Sequence, residues 1–157
     1  MLNFLKKQKF VIVSPAKGKL KSIAEVYDEA FSSKALGDGF AVEPENGEVY
    51  SPVDGEIKAL FPTLHAIGIK SSNETEILLH IGVDTVSLNG EGFEAFVKAG
   101  QKVKRGQLLV KFDLEAIKAK VPSTEIMVAF TSGESCEILK NGQTISAGET
   151  DIVNVNK

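Results

Sequence analysis

Residues 63–84 read TLHAIGIKSSNETEILLHIGVD, and the pattern of this stretch decides the fold class. Apolar residues recur from Ala66 to Ile69 and from Ile77 to Val83, while Ser71 to Glu74 between them are short and polar, which reads as strand, loop, strand. A symmetric hairpin centred between Ser72 and Asn73 pairs residues whose numbers sum to 145. Lys70 then faces Thr75, Ile67 faces Leu78, and His65 faces His80, with directly opposed Cβ atoms roughly 4.5 to 5.5 Å apart. A β-bulge would shift this register. These are the chain's only two histidines. Facing each other, they could bind one metal ion, share one small anion, or divide the work of a reactive group and its stabiliser.

The composition limits what such a pair can belong to. A chain of 157 residues is long enough to bury about two-thirds of its unfolded surface in one domain. With 43% hydrophobic and 25% charged residues and a net charge of -3, it lacks the basic balance of a nucleic-acid binder. The single cysteine, Cys136, excludes an internal disulfide and a cysteine-rich metal knuckle. No signal peptide or long apolar span is visible, so the cytoplasm is the expected location.

Outward from the hairpin, turn signals recur at close spacing, as an all-β domain requires. Gly37-Asp38-Gly39 and Glu45-Asn46-Gly47 bracket Phe40 to Val42, and Ile57, Ala59 and Phe61 alternate as on a half-buried strand. Phe10 to Val13, Leu108 to Phe112, Ile126 to Phe130, Cys136 to Leu139 and Asp151 to Val155 read as further strands, and Glu94 to Ala99 as one helical turn. Asp113 is placed to cap a short helix through Lys118. Ser14-Pro15-Ala-Lys-Gly18-Lys-Leu20 and Ser51-Pro52-Val-Asp-Gly55-Glu-Ile57 share Ser-Pro-x-x-Gly-x-apolar, the trace of an internal duplication. The expectation is an antiparallel β-sandwich or barrel-like domain over residues 11–157 with short helices. Residues 1–10, with Leu2, Phe4 and Leu5 among Lys6, Lys7 and Lys9, form a tail that could associate weakly with an anionic membrane or simply solubilise.

Other chemistries find little support. No G-x-S-x-G elbow or Walker loop is present, and Cys136 has no histidine near it in sequence. A zinc hydrolase of lysostaphin-like β-topology needs three protein ligands, whereas His65 and His80 supply two and there is no His-x-His. Zinc at the pair therefore requires a ligand from a partner. Ala99 to Leu108 resembles a lipoyl or biotinyl carrier turn, but lacks the lysine flanked by methionine at a hairpin tip.

Six stretches together carry a more specific likeness. Gly37-Asp-Gly-Phe-Ala-Val-Glu-Pro44, Ser51 to Ile57, Thr63-Leu-His-Ala66, Leu79-His-Ile-Gly-Val-Asp-Thr-Val86, Leu88-Asn-Gly-Glu-Gly-Phe93 and Gly100-Gln-Lys-Val-Lys-Arg-Gly106 occur in order, with the second histidine fifteen positions after the first. In these the chain resembles the glucose-type enzyme IIA component of the bacterial phosphoenolpyruvate-dependent sugar phosphotransferase system. The family's fold is an antiparallel β-sandwich with a duplicated motif.

The resemblance implies a phosphotransferase component that works through a phosphohistidine. His80 matches the histidine that accepts phosphate from HPr at Nε2 and passes it to a cysteine on the IIB domain of a sugar permease, with no cofactor. Gly82 matches the residue whose carbonyl takes the Nδ1 proton of that histidine. His65 matches the second histidine, which steadies the phosphoryl oxygens while Thr63 fixes its tautomer. Asp38 and Asp84 match acidic residues beside the site, and as isolated residues they read equally as turn caps. Phe40, Phe61, Leu78 and Val86 are candidates for an apolar rim on which both partners dock. A regulatory binding role toward other transport or metabolic proteins is compatible with the same surface. The sugar and the permease are not legible.

Overall fold

The computed structural model describes residues 10–156. The amphipathic tail thus lies, except for Phe10, outside the described residues. Among these, thirteen strands run in chain order: β1 (Gly18–Ser22), β2 (Gly39–Pro44), β3 (Glu48–Tyr50), β4 (Gly55–Leu60), β5 (Ala66–Ser71), β6 (Glu76–Val83), β7 (Phe93–Ala95), β8 (Lys102–Val103), β9 (Leu108–Phe112), β10 (Ser123–Phe130), β11 (Ser135–Ile138), β12 (Thr144–Ile145) and β13 (Val153–Asn156). Two short helices, α1 (Glu29–Ser32) and α2 (Leu114–Lys118), are each capped by the aspartate before them: Asp28 accepts from the Ala30 amide and Asp113 from that of Ala116.

An eight-stranded antiparallel sheet in the order β12-β1-β2-β10-β6-β5-β4-β8 faces a three-stranded sheet, β3-β9-β7, and a β11-β13 pair. One hydrophobic core draws on all three, with Leu79 and Val128 from the large sheet, Val49 and Leu109 from the second and Val153 from the third. This is the antiparallel β-sandwich that the strand pattern predicts.

The duplication is visible in hydrogen bonds. Ser14 Oγ donates to Ala16 O at 2.6 Å and Ser51 Oγ to Val53 O at 2.7 Å, both serines fully buried. The two turns also clasp each other reciprocally: Val13 N donates to Pro52 O at 2.9 Å and Tyr50 N to Pro15 O at 2.8 Å. Each copy acquires its own edge strand from a Gly-Gln pair. Leu20 N bonds Gln143 O and Gly142 N bonds Leu20 O, just as Ile57 N bonds Gln101 O and Gly100 N bonds Ile57 O. The Ser-Pro half of this repeat is legible in the sequence, and the Gly-Gln half emerges only in the hydrogen bonds.

Two local expectations give way to tertiary contacts. Residues 94–95 are strand rather than helix, because Glu94 pairs with Lys111, Ala95 pairs with Val110, and the Phe93 ring stacks on Phe112 at 5.9 Å. Residues 10–13 form no strand, although Val13 donates to the second Ser-Pro turn.

The hairpin register is also corrected. Pairs across β5 and β6 sum to 146: Ala66 opposes His80, Ile67 opposes Leu79, and Lys70 opposes Glu76. Ser71 N bonds Thr75 O at 2.8 Å and Glu74 is left-handed at φ 76°, so the loop holds three residues, Ser72 to Glu74, and is centred on Asn73. A loop of odd length with its last residue left-handed is the bulged hairpin connection, and it moves every pairing by one.

Candidate functional site

β6 alternates between two environments. Ile77, Leu79 and Ile81 point into the main core, while Leu78 and His80 lie on the other face of the large sheet. There Ala41 of β2, Met127 of β10, His80 and Ala66 of β5 form one cross-strand row. Residues 23–31 strap over this face, burying Ile23, Val26 and Phe31 against Ala41, Met127 and Ala129. The Phe31 ring comes to 5.1 Å from that of His80.

Gly82 sets the chemistry of His80. It has φ 75°, and a Cβ there would stand 2.6 Å from Thr85 Cγ2 and 3.1 Å from Ser123 O, so only glycine fits this close turn. Its carbonyl bends back to within 2.8 Å of His80 Nδ1. A carbonyl can only accept, so Nδ1 carries the proton and Nε2 of the neutral ring keeps its lone pair. Burial lowers the His80 pKa, against the opposing pull of the Gly82 carbonyl and Asp28, so the ring is neutral at pH 7.

His65 arrives by an irregular route. Leu64, at φ 61°, closes a turn in which its amide bonds Phe61 O at 2.8 Å, and Phe61 N bonds Ala66 O at 3.1 Å. A left-handed leucine is a strained conformation, which marks the turn as one held by its surroundings. His65 thus precedes β5 and is not bound by strand alternation, although its carbonyl still receives the Ile81 amide at 2.7 Å. Its ring lies 4.9 Å from that of His80 and crosses it at 82°, and Phe61 flanks it edge-on at 5.6 Å. The two rings therefore come together, by a different geometry from the direct opposition expected from the sequence.

Thr63 Oγ1 lies 2.5 Å from His65 Nδ1. If the hydroxyl donates, Nε2 carries the hydrogen and is a donor. Burial, with the neighbouring His80 adding to it, lowers the pKa of His65 to about 4, so this ring is neutral at any physiological pH. With Thr63 donating, the pair is a ring with a free Nε2 lone pair beside a neutral hydrogen-bond donor.

The remaining sequence candidates divide. Phe40 is not a rim residue: it is fully buried, 6.4 Å from the Phe130 ring, because β2 is an interior strand covered on both faces. Leu78 is half-buried on the His80 face, and Phe61 and Val86 are 43% and 53% exposed. Asp38 does not turn toward the histidines. Its carboxylate accepts from Gly39 N at 2.8 Å and Cys136 N at 2.9 Å and meets Lys34 at 3.4 Å, which is the backbone-capping role. Asp84 is exposed and left-handed, and its side chain caps nothing.

Asp28, passed over in the sequence, is the acidic residue whose charge acts on His80. A helix cap three residues before Phe31 was the available signal. Among the described residues no three His, Cys, Asp or Glu side chains converge as a metal-binding group.

Residues 10–136 match the family model of the phosphoenolpyruvate-dependent sugar phosphotransferase system, EIIA 1. The chain is 49% identical over 146 residues to a PTS system glucose-specific EIIA component of Bacillus anthracis, covering 92% of this chain and 88% of that relative. It is 52% identical over 120 residues to a glucosamine-specific EIICBA component of Bacillus subtilis, covering 76% of this chain and 19% of that longer protein. Among solved structures, glucose permease IIA from Mycoplasma capricolum superposes with a TM-score of 0.87 at 41% identity, covering 94% of this chain and 96% of that one.

Proposed function

The chain belongs to the EIIA 1 family of the phosphoenolpyruvate-dependent sugar phosphotransferase system, and from that membership we propose which atoms carry its phosphoryl group. Members are phosphotransferase components that accept phosphate from HPr on a histidine and pass it to a IIB domain. The zinc-hydrolase alternative has no support from any relative. In our reading His80 is the acceptor. Its Nε2 lone pair attacks the phosphorus of phospho-HPr, the bond from phosphorus to HPr breaks, and HPr leaves with that electron pair. As the ring becomes imidazolium-like, the Nδ1–H to Gly82 carbonyl bond becomes charge-assisted and strengthens. Onward transfer reverses the balance: the IIB acceptor attacks phosphorus and the pair returns to Nε2.

His65 in this reading donates Nε2–H to the phosphoryl oxygens, and Thr63 donates to Nδ1 to keep it in that tautomer. A neutral donor suits the task, because it stabilises charge on the travelling group without trapping the group as a salt bridge. Phe61, Leu78 and Val86 form the docking rim. Asp38 is left out of the site and Asp84 remains at its edge. Residues 11–157 act as one enzyme IIA-type unit, with residues 1–10 as a tail.

The observation that carries the assignment is the 2.8 Å contact from His80 Nδ1 to Gly82 O, which leaves Nε2 as the free nucleophile. A glucose-type permease is the proposed client, following the names of the relatives. The cytoplasm is the proposed location, and no described helix is long and apolar enough to cross a membrane. No cofactor is needed for the chemistry, and zinc at the two histidines would need a partner's ligand. Incubation with phosphoenolpyruvate, enzyme I and HPr, read by intact mass, tests the function. Acid-labile gain of one phosphate that is absent in His80→Gln is expected, and no gain in the parent while HPr is phosphorylated contradicts it.

A further inference from the structure

We infer that Glu125 is a positioning residue for His80, tying the strap of residues 23–31 to the strand that supports the site. Glu125 lies in β10, where the pairing to β6 slips between Ser123 and Ile126. It is 6% exposed, and its carboxylate meets Lys21 Nζ at 2.5 Å, Ser123 Oγ at 2.7 Å and the backbone amide of Tyr27 at 3.2 Å. The Tyr27 contact fixes the polar middle of the strap. The next residue, Asp28, caps α1 and so sets where the Phe31 ring sits on His80.

The same slip supports His80 from its other side. Ser123 O lies against Gly82, 3.1 Å from where a Cβ would stand, so the slip packs on the residue that holds Nδ1. One irregularity in β10 therefore reaches both groups that fix the ring, Phe31 through the strap and Gly82 directly. A buried ion pair is weak evidence for stability, since apolar replacement is often neutral, and its better-attested use is to specify geometry. Burial alone would raise the Glu125 carboxyl, yet Lys21, Ser123 and Tyr27 hold it below its usual range. It is thus an anion at working pH and a fixed acceptor for the strap.

The inference rests on His80 as the phosphoryl acceptor, and it is tested by a readout that needs no phosphate. Titration of ¹⁵N-histidine-labelled protein by NMR follows both rings of a two-histidine chain. The charged or titratable groups facing His80 are His65 and Asp28, and neither is altered. In Glu125→Gln, a loosened strap leaves His80 better hydrated, so its lowered pKa moves up toward the ordinary value. Phosphate acceptance at saturating phospho-HPr slows on the order of tenfold, because small misplacements of reacting groups are costly. The half-saturating HPr concentration stays unchanged, as the rim is untouched.

Lys21→Gln, which removes the cation and leaves the carboxylate on Tyr27, shifts His80 in the same direction by less. Glu43→Gln, altering a mostly exposed partner 3.7 Å from Lys21, leaves His80 as in the parent. A parent-like His80 titration and saturated rate in whichever of Glu125→Gln and Lys21→Gln folds overturns the inference. A parent protein that accepts no phosphate would instead overturn the proposed function, leaving the titration result standing by itself.

Discussion

The rings of His65 and His80 stand 4.9 Å apart and cross at 82°, although the residues are not partners in the β5-β6 ladder. Nδ1 of each ring faces a different neighbour on the far side, Gly82 O at 2.8 Å for His80 and Thr63 Oγ1 at 2.5 Å for His65. The Gly82 carbonyl leaves His80 with a free lone pair at Nε2, and with Thr63 donating, as we propose, His65 carries a hydrogen there instead.

Substitution of each histidine should separate these roles. His80→Gln keeps a similar shape but has no basic lone pair, so phosphate acceptance is lost. His65→Gln leaves the nucleophile and alters the donor. Loss of one such donor costs about 2.7 to 4 kcal/mol in a transition state, on the order of a hundred- to a thousandfold in rate. We expect His65→Gln to become phosphorylated and to pass phosphate to IIB very slowly. Rapid-quench measurement of both half-reactions checks it, and a variant that lost acceptance but kept donation would reverse the roles.

Gly82→Ala tests the lock on Nδ1. A Cβ 2.6 Å from Thr85 Cγ2 must displace either the threonine or the Gly82 carbonyl, and φ 75° is itself unfavourable for alanine. The variant should remain folded but accept phosphate at least tenfold more slowly, as the Nδ1 contact lengthens. Parent-like loading with a displaced carbonyl would show that the contact does not tune the nucleophile.

The lowered histidine pKa values give the fold a definite pH dependence. Unfolded histidine titrates near 6.5, whereas folded His65 titrates at about 4. Between these values the unfolded chain holds a proton that the folded chain does not, so stability falls as pH drops from 6.5 toward 4 and levels off below. The loss attributable to His65 is on the order of 3 kcal/mol. Urea denaturation at pH 7 and pH 4.5 measures it, with His65→Gln as the control that should show a smaller loss.

The rim calls for paired substitutions. Leu78→Asp, which places charge on the histidine face, and Val86→Asp, at an exposed position of the proposed rim, should weaken docking of HPr and IIB alike, as charges in apolar docking centres do. Phe40→Ala should instead destabilise the whole domain by about 3 to 5 kcal/mol, since that ring is fully buried. Titration calorimetry with each partner and thermal melts decide between a docking and a packing role at each position.

Much of this site was legible in residues 63–84. Alternation located β5 and β6, and polar Ser71 to Glu74 located the turn. The register was not legible, because whether Glu74 belongs to the strand or to the loop depends on its left-handed backbone, and glutamate gives no sign of that. That one residue moved His65 from opposite His80 to opposite Ile81. The site survived because Leu64 adopts a second left-handed turn, equally silent in sequence.

Phe40 was misplaced for a different reason. Its strand, Gly39–Pro44, lies between β1 and β10 and is covered by the core on one face and by the strap on the other. Nothing in six residues tells an interior strand from an edge. Asp38 and Asp28 show the limit of matching by motif. Asp38 sits in the more conspicuous Gly-Asp-Gly, yet it binds the amides of Gly39 and Cys136, while Asp28 in an unmarked segment acts on His80.

The most direct test of the central claim is long-range ¹H–¹⁵N correlation on the phosphorylated, ¹⁵N-histidine-labelled protein. It reads which ring and which nitrogen carry phosphorus. We expect the phosphoryl group on Nε2 of His80 with Nδ1 protonated, and His65 neutral with its hydrogen on Nε2. Phosphate on His65, or on Nδ1 of His80, would contradict the account.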